Sequence, residues 1–415
     1  MRIASSLIFQ NTIQSMDNQQ STLAQLQQEI TTNKKLLTPA DDPLGAAQAV
    51  KLSQSGAALS QYASNQTSAT ASLGIEDQTL TSVSGVLTQI NQLLGSVANG
   101  TLNDSDRQAQ AKQLQGLRDT LMSLANTTDG SGNHIFSGFQ GGTAPFTNQS
   151  NGGVTYNGDT GEPTVQIADS TSVQTADSGA SVFLSVLSGV AAPVPAGAAT
   201  NTGTGTFTGS PSVITQPGAP GNNDAYSITF GTDATGASVY SVNDTSTTPP
   251  TSISANQPYT AGQPITLGTG MNVTITGTPA SGDSFTVTPA AQGNTDVFAT
   301  IDSVISALQQ PVDGNQAATA NLSNVLTTAG NELGNTMTNV TTVHASVGGR
   351  EQQVKAMASI NSNETLQNTN NLANVTDVDP ATVLSQFVLV QNALTAAQKT
   401  FAAASSLSLF QVINP

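Results

Sequence analysis

The sequence predicts an α+β protein, namely an elongated rod of coiled-coil-like helices from both chain ends with an inserted β-rich domain. Two observations carry this prediction. Large apolar residues recur at heptad spacing near both termini, and the middle of the chain is rich in Gly and Pro with short alternating runs. The order helix, strand, helix along one chain indicates a nested organisation in which the two termini pair with each other.

The two chain ends carry the heptad pattern, and residues 1–43 and 376–415 are predicted to form a terminal coiled-coil assembly domain. One such helix alone fits equally well an ordinary amphipathic helix packed on a globular core. Because both ends show the pattern, their mutual pairing is favoured. The predicted interface comprises ten residues: Phe9, Met16, Leu23, Ile30, Leu37, Val383, Phe387, Val390, Leu394 and Phe401.

The stabilisation of an isolated terminal pair is expected to be thin. The two segments hold few large apolar side chains for the backbone entropy that must be lost. We therefore expect these ends to become fully ordered on assembly, when neighbouring subunits bury their remaining faces.

The inner flanks, residues 44–137 and 294–375, are predicted to form a helical bundle. Heptad-spaced apolar residues run from Leu80 to Val97 and again from Leu326 to Val354. Asp104 or Ser105 is expected to cap one further helix, and Thr295 another.

Residues 138–293 are predicted to form the inserted β-rich domain. Alternating apolar and polar residues predict strands at 226–230, 238–242, 271–277 and 284–289. The Gly-, Pro-, Ala- and Thr-rich stretch from Ala191 to Gly221 is predicted to be a loop or linker.

The charge of the chain limits its partners. It has 10 basic and 26 acidic residues, for a net charge of −16, and no basic residue lies between Asp119 and Gly349. Such a surface repels phosphate, so nucleic acid and anionic membrane are not expected as partners. The sequence has no Cys, no apolar run of spanning length and no N-terminal pattern typical of a secretory signal. It is therefore expected to be cytosolic or exported by another route.

No catalytic constellation is found in the sequence, so we predict a protein that is not an enzyme and needs no cofactor or metal. The two histidines, His134 and His344, lie in segments of different type. Asp129, Ser131 and Asn133 alternate as in a calcium-binding loop, but His134 stands where that loop needs Gly, which argues against an EF-hand. The Asp41-Asp42-Pro43 sequence predicts a helix end, a turn and a new helix.

Three segments together resemble the flagellin family. NKKLLTPADDPLGAAQAVKL at 33–52 is similar to a signature of its N-terminal region, and SVGGREQQVKA at 346–356, with Arg350, resembles its Gly-x-Arg helix motif. The stretch from Asp377 to Ile413 resembles the C-terminal region of the family. HIFSGF at 134–139 and the segment GTPASGDSFTVTP are similar to hook-associated members, as is the N-terminal stretch.

This resemblance implies a structural adaptor subunit of the bacterial flagellum. It would lie outside the cell at the hook–filament junction, between the first hook-associated protein and the flagellin filament, in a ring with copies of itself. It would leave the cell through the flagellar type III channel, with an export chaperone bound to its C-terminal segment. Filament flagellin itself, or a secreted adhesin-like β module, are the alternatives.

Overall fold

The computed structural model describes residues 2–98, 102–150, 152–187 and 190–413 of the chain. Long helices come from both chain ends and the strands lie between them, so the predicted α+β class is confirmed. The described residues form these helices: α1 (Arg2–Thr32), α2 (Pro43–Val97), α3 (Asp104–Ala125), α4 (Gly179–Phe183), α5 (Val297–Gln309), α6 (Gln316–Thr376) and α7 (Pro380–Ile413).

The strands of the described residues all lie in the middle of the chain. They are β1 (Phe146–Asn148), β2 (Val154–Tyr156), β3 (Thr164–Ala168), β4 (Thr171–Gln174), β5 (Val194–Gly197), β6 (Thr206–Ile214), β7 (Tyr226–Thr232), β8 (Ser238–Asp244), β9 (Thr251–Pro258), β10 (Pro264–Gly268), β11 (Met271–Thr276) and β12 (Ser284–Thr288). The four strands predicted from alternation correspond to β7, β8, β11 and β12. The predicted loop from Ala191 to Gly221 is wrong in part, because it contains β5 and β6.

The segment predicted to be a loop forms strands for a reason that lies outside its own sequence. β5 pairs with β12, and β6 pairs with β11, both antiparallel. The neighbouring strands therefore supply the hydrogen bonds, although Gly and Pro weaken any local preference for strand.

The chain divides into two compact units, Met1–Ser64 with Met357–Pro415, and Asn65–Ala356. In the first unit, α1 packs on α7, and the carboxamides of Asn361 and Asn368 donate to the main-chain oxygens of Leu59 and Leu52 at 3.0 and 2.9 Å. The finer division into three domains stays a prediction.

The helical part of the second unit has a continuous apolar core. Heptad-spaced side chains of α2 and α6 are fully buried, together with apolar faces of α3 and α5. This core includes Leu73, Leu80, Val83, Leu87, Ile90, Leu114, Leu121, Ile301, Val304, Leu333, Val340 and Val347. The heptad spacing thus marks the buried face of each inner helix.

The helix starts differ by one residue from those expected. α3 is capped by Asn103, whose Oδ1 accepts a hydrogen bond from the Asp106 nitrogen at 2.9 Å, so the prediction of Asp104 or Ser105 is wrong. α5 is capped by Asp296 instead of Thr295. The Oδ1 atom of Asp296 accepts a hydrogen bond from the Phe298 nitrogen at 2.8 Å. In each helix the cap is the polar residue that has an extended backbone next to the first helical turn.

The strands β5 to β12 form two sheets that share one core. The five-stranded sheet has the order β5-β12-β7-β8-β9, and the three-stranded sheet has the order β10-β11-β6. Side chains from both sheets meet in one buried cluster, in which the rings of Phe207 and Phe285 lie 5.3 Å apart. These two sheets are called the sandwich below.

Residues before the sandwich belong instead with the helices. The ring of Phe183 lies 5.4 Å from the rings of both Phe136 and Phe146, and Phe298 at the start of α5 lies 5.8 Å from Phe146. The β1–β2 hairpin, through Phe146, is thus part of an aromatic cluster that includes a helix of the bundle.

A row of Asn side chains on α6 holds the extended chain that leads into the sandwich. Asn335 donates to the main-chain oxygen of Ala192 and accepts from its nitrogen, both at 2.8 Å. Asn324 donates to Gly205 at 2.9 Å and accepts from the nitrogen of Phe207 at 3.2 Å. Asn339 donates to the oxygen of Ser181 at 2.7 Å. These amides, called the amide row, satisfy main-chain groups that would otherwise lose their water partners on burial.

Candidate assembly surface

The predicted interface residues on the N-terminal helix lie on α1, except one. Phe9, Met16 and Leu23 are half-buried, and Ile30 is exposed. Leu37 lies beyond the helix, because α1 ends at Thr32 and Asn33 takes a positive φ of 55°. The heptad spacing therefore continues past the point at which the helix stops.

The predicted residues on α7 face α1. Val383 is buried, and Phe387, Val390, Leu394 and Phe401 are half-buried. The rings of Phe9 and Phe401 meet edge to face, with their centroids 4.9 Å apart. The structure thus brings together the two ends of the chain along the predicted rows.

A second apolar row on α7 was not predicted from the sequence. Leu384, Val388 and Leu389 are 56%, 47% and 68% exposed. No charged residue occurs in α7 from Pro380 to Gln398. A helix that is apolar on more than one face is typical of a buried helix, so α7 has apolar surface that α1 leaves uncovered.

Sequence reasoning also missed two buried residues on α1. Leu26 and Glu29 are buried, and Glu29 accepts a hydrogen bond from the Gln25 side chain at 3.1 Å. Leu26 follows Leu23 by three residues, so the signal for it was present in the helical spacing. Nothing in the spacing marks the burial of Glu29.

The turn between α1 and α2 is built by two adjacent carboxylates. Asp41 Oδ2 accepts from the nitrogen of Thr38 at 2.7 Å, which closes the turn. Asp42 Oδ1 accepts from the nitrogens of Leu44 and Gly45 at 3.1 and 3.0 Å, which caps α2. Pro43 is the first residue of α2, the position where its missing N–H costs nothing.

The turn is also tied to the end of α6. The nitrogen of Lys35 donates to the oxygen of Thr376 at 2.8 Å, and the Lys34 ammonium lies 3.0 Å from the Asp377 carboxylate. The two basic residues of the family signature therefore contact the segment just before α7.

Arg350 lies on α6 in the second unit, whereas the terminal rows belong to the first unit. Its guanidinium pairs with Asp177, which precedes α4, and the nitrogen of Asp177 donates to Glu76 Oε1 on α2 at 3.0 Å. Burial, followed by the negative charge of Asp177, raises the pKa of Glu76 to about 8. Two residues that the sequence analysis had not singled out, Glu76 and Asp177, thus join Arg350 in a buried polar cluster.

The histidines have structural partners within the second unit. His134 Nδ1 lies 2.8 Å from the oxygen of Asn126, and His344 Nε2 lies 2.9 Å from the carboxylate of Asp77. In the part of the chain that the structure describes, no group of three or more His, Asp or Glu side chains is placed to hold a metal ion. Within the same residues, no helix is long and apolar enough to cross a membrane.

Comparison with known proteins finds similarity to flagellar proteins. Residues 3–141 match the model of the bacterial flagellin N-terminal helical region. Over 412 residues, 99% of each chain, the sequence is 27% identical to flagellar hook-associated protein 3 of Salmonella typhimurium. It is 26% identical to the protein of that name from Escherichia coli, with the same coverage. The chain is thus similar to bacterial flagellins in its N-terminal region and to flagellar hook-associated protein 3 along its length.

Solved structures agree with this similarity. FlgL of Xanthomonas campestris is 28% identical and aligns with a TM-score of 0.67, covering 78% of this chain and 99% of that chain. Flagellar hook-associated protein-3 of Legionella pneumophila, at 23% identity, shares the fold with a TM-score of 0.69 and covers 78% of this chain and 98% of that one. The family resemblance seen in the sequence is thus confirmed, and the similarity is to hook-associated members along the whole chain.

Proposed function

We infer that this chain is a structural adaptor subunit of the bacterial flagellum that joins the hook to the flagellin filament. The observation that carries this function is similarity to flagellar hook-associated protein 3 over 99% of both chains, inserted region included. A match limited to the helical ends would fit filament flagellin equally well.

The terminal helices are the surface through which the subunit is joined. Their facing rows are only half-buried in one chain, and α7 presents a second apolar row of Leu384, Val388 and Leu389. Neighbouring subunits can cover these rows and gain the free energy of burying apolar surface. The neighbours in this proposal are the first hook-associated protein, flagellin and further copies in a ring.

The absence of charged residues from the N-terminal part of α7 supports the same role. The whole chain carries a net charge of −16, so close approach of two copies is opposed wherever their acidic groups face each other. The first 19 residues of α7, from Pro380 to Gln398, carry no charge and avoid that cost.

The exposed row on α7 also calls for protection before export. An uncovered apolar face on a newly made chain is an aggregation hazard, and a groove on an export chaperone would cover it. The subunit then leaves the cell through the flagellar export channel and works outside it. A purified chaperone that bound equally well to a chain lacking residues 377–415 would contradict this part.

Deletion of the gene tests the function directly. We expect cells with intact hooks that release unpolymerised flagellin into the medium. Disappearance of the filament protein itself, with no released flagellin, would instead identify the chain as filament flagellin. Normal motility together with reduced adhesion of the cells to surfaces would favour the adhesin alternative.

The variant Phe401→Asp tests the terminal surface. A charge placed against the Phe9 ring should abolish joining of the filament, while the far-ultraviolet circular dichroism of the purified protein stays unchanged. Phe401→Leu is the matched control, because it keeps an apolar side chain at the same position and should retain the filament. Retention of the filament in both variants would show that this contact does not carry assembly.

A further inference from the structure

One aromatic side chain stands apart from the others. Among the aromatic side chains that the structure describes, Phe139 alone is exposed, with 71% of its surface accessible. Exposed aromatic rings cost solvation free energy and are enriched at the centres of protein interfaces. Phe139 therefore calls for an explanation that the terminal helices do not supply.

The Phe139 ring is held in place although it is exposed. The main-chain nitrogen of Phe139 donates to Asp159 Oδ1 at 3.0 Å, and the same oxygen accepts from the main-chain nitrogen of Gly161 at 2.8 Å. One edge of the ring lies so close to Gly161 that a Cβ at residue 161 would collide with it. A ring fixed before binding loses little conformational entropy when a partner covers it.

The surroundings of Phe139 carry little charge, and the one oxygen of Asp159 that touches it is bound by two main-chain nitrogens. Residues 130–158 contain no Asp, Glu, Lys or Arg, in a chain with a net charge of −16. Another copy of the chain carries the same charge, so it can approach closely only where both surfaces are neutral. A copy of the chain fits this loop better than a strongly basic partner, because the carboxylate at the ring, Asp159, is already bound by the nitrogens of Phe139 and Gly161.

The second unit also has an apolar groove that can accept an aromatic ring. A groove of about 350 Å³ lies between the C-terminal end of α5, the N-terminal end of α6 and the segment after β5. It is lined mainly by small apolar side chains, among them Ala198, Ala307, Leu322 and Val325, and by no charged residue. An apolar cavity of about 150 Å³ is enough to accept a benzene ring, so this groove has room for a phenyl group.

The ring and the groove lie at different places on the same unit. Phe136, three residues before Phe139, belongs to the aromatic cluster around the first turn of α5, whereas Ala307 and Gln310 line the groove at the other end of that helix. The 13 residues of α5 span about 20 Å. Two different patches on one chain produce a head-to-tail contact, which repeats from copy to copy instead of closing a two-fold dimer.

We propose that the Phe139 ring of one copy inserts into the groove of a second copy, between Ala198, Ala307 and Leu322. This contact is a site at which copies of the adaptor bind each other. It rests on the proposed function, because that function brings copies together in the flagellum. It is separate from the terminal helices, because neither the ring nor the groove belongs to the unit that contains α1 and α7.

Cysteine cross-linking tests this contact, since the natural chain has no Cys. Gln140→Cys places a thiol beside the ring, and Ala199→Cys places one at the groove. Mixed and oxidised, these two full-length variants should give a disulfide-linked heterodimer, both as concentrated purified protein and in isolated flagella. Thr235→Cys, at the exposed turn between β7 and β8, replaces Gln140→Cys in the control and should give none.

Two further substitutions decide whether the ring and the groove make the contact. Phe139→Ala removes the ring, and Ala318→Phe fills the groove; each should lower the cross-link yield about tenfold, the loss typical of an interface hot spot. Phe139→Leu, which keeps an apolar side chain, should retain most of the yield. Unchanged circular dichroism excludes misfolding as the cause.

The outcomes separate this proposal from the proposed function. Absence of the cross-link in both samples, or a yield indifferent to Phe139→Ala and Ala318→Phe, overturns the contact. Immunolabelling of the chain along the filament, or its absence from flagella, overturns the adaptor role, whereas the purified protein still decides the contact between copies.

Discussion

Heptad-spaced apolar residues mark both the terminal helices and the inner helices, yet the two regions bury them to different extents. In the inner region, Leu87 on α2 and Val340 on α6 are fully buried. Among the described side chains of α1 and α7, Leu26 and Val383 are the only apolar ones that are buried. The spacing is the same, but the inner helices are covered on more sides.

This difference teaches what the spacing can and cannot predict. A heptad row indicates which side chains share one face of a helix, and it carries no information on the number of elements that cover the helix. The inner helices bury their rows in the same unit as α3 and α5, which also pack on each other, whereas the packing partner of α1 is α7. In our proposal, the missing cover of the terminal pair comes from other subunits.

Hydrogen exchange on the free protein should show the largest contrast. Amides around Leu87 and Val340 are expected to exchange slower by orders of magnitude than amides of α1 and α7, because they open only with global unfolding. The measurement is mass-detected exchange on a dilute monomer. Equal protection in the two regions would break the comparison, since the ends would then be stable without a partner.

A pair of matched truncations should give the next largest contrast. Leu87→Ala is expected to lower the free energy of unfolding by about 2–5 kcal/mol, because it leaves a cavity in a closed core. Leu23→Ala, on a half-buried position of α1, should lower it by about 1 kcal/mol or less. Urea denaturation of the purified monomer measures both. A large loss for Leu23→Ala would show that the terminal pair is closed already in one chain.

The buried cluster of the second unit should make its stability depend on pH. The pKa of Glu76 is raised from 4.5 to about 8 in the folded chain, so the folded state holds a proton that the unfolded state loses at lower pH. Stability from this group is complete below pH 4.5 and is lost as the pH rises toward 8. Asp177 and Arg350 are the charged groups that face Glu76.

Glu76→Gln removes this dependence. The free energy of unfolding of the variant should fall less between pH 5 and pH 8 than that of the natural chain, as measured by urea denaturation at each pH. Glu364→Gln, an exposed position on α6, is the control and should leave the slope unchanged. An unaltered slope in Glu76→Gln would assign the pH dependence to other groups.

The smallest effect is expected at the ion pair beside the turn of the first unit. Lys34 and Asp377 lie 3.0 Å apart, with their side chains 49% and 35% exposed. Lys34→Met should lower the free energy of unfolding by about 0.2–1 kcal/mol, because water and salt screen an exposed pair. The difference should shrink in 1 M salt in the same denaturation assay. A salt-independent loss would point to the aliphatic part of Lys34 instead.

The sequence predicted the fold class, the helical ends and those strands whose side chains alternate. It failed where the decisive partner lies far away in the chain. β5 and β6 take their hydrogen bonds from β12 and β11, which no local pattern reveals. The cap of α3 was placed too late and that of α5 one residue too early, because neighbouring polar residues compete and the backbone angles decide between them.

The boundary of the inserted domain shows the same limit. Residues from 138 to about 187 looked like the sandwich because they are rich in Gly and poor in charge. Phe146 and Phe183 nevertheless pack near Phe298 of α5, so this part is joined to the helices. At the candidate surface, the terminal rows followed from spacing, whereas Leu384 on α7 and the Phe139 ring give no sequence signal that distinguishes them from buried residues.

The amide row has a consequence for how this chain can change over evolutionary time. Asn324, Asn335 and Asn339 bind main-chain oxygens and nitrogens, which almost every amino acid offers alike. Exposed side chains within residues 181–207 can therefore be exchanged while the anchors on α6 remain in place. Divergence of this segment is thereby compatible with a constant attachment, and substitutions on α6 at these three positions should be tolerated far less than substitutions of the exposed residues in the segment they hold.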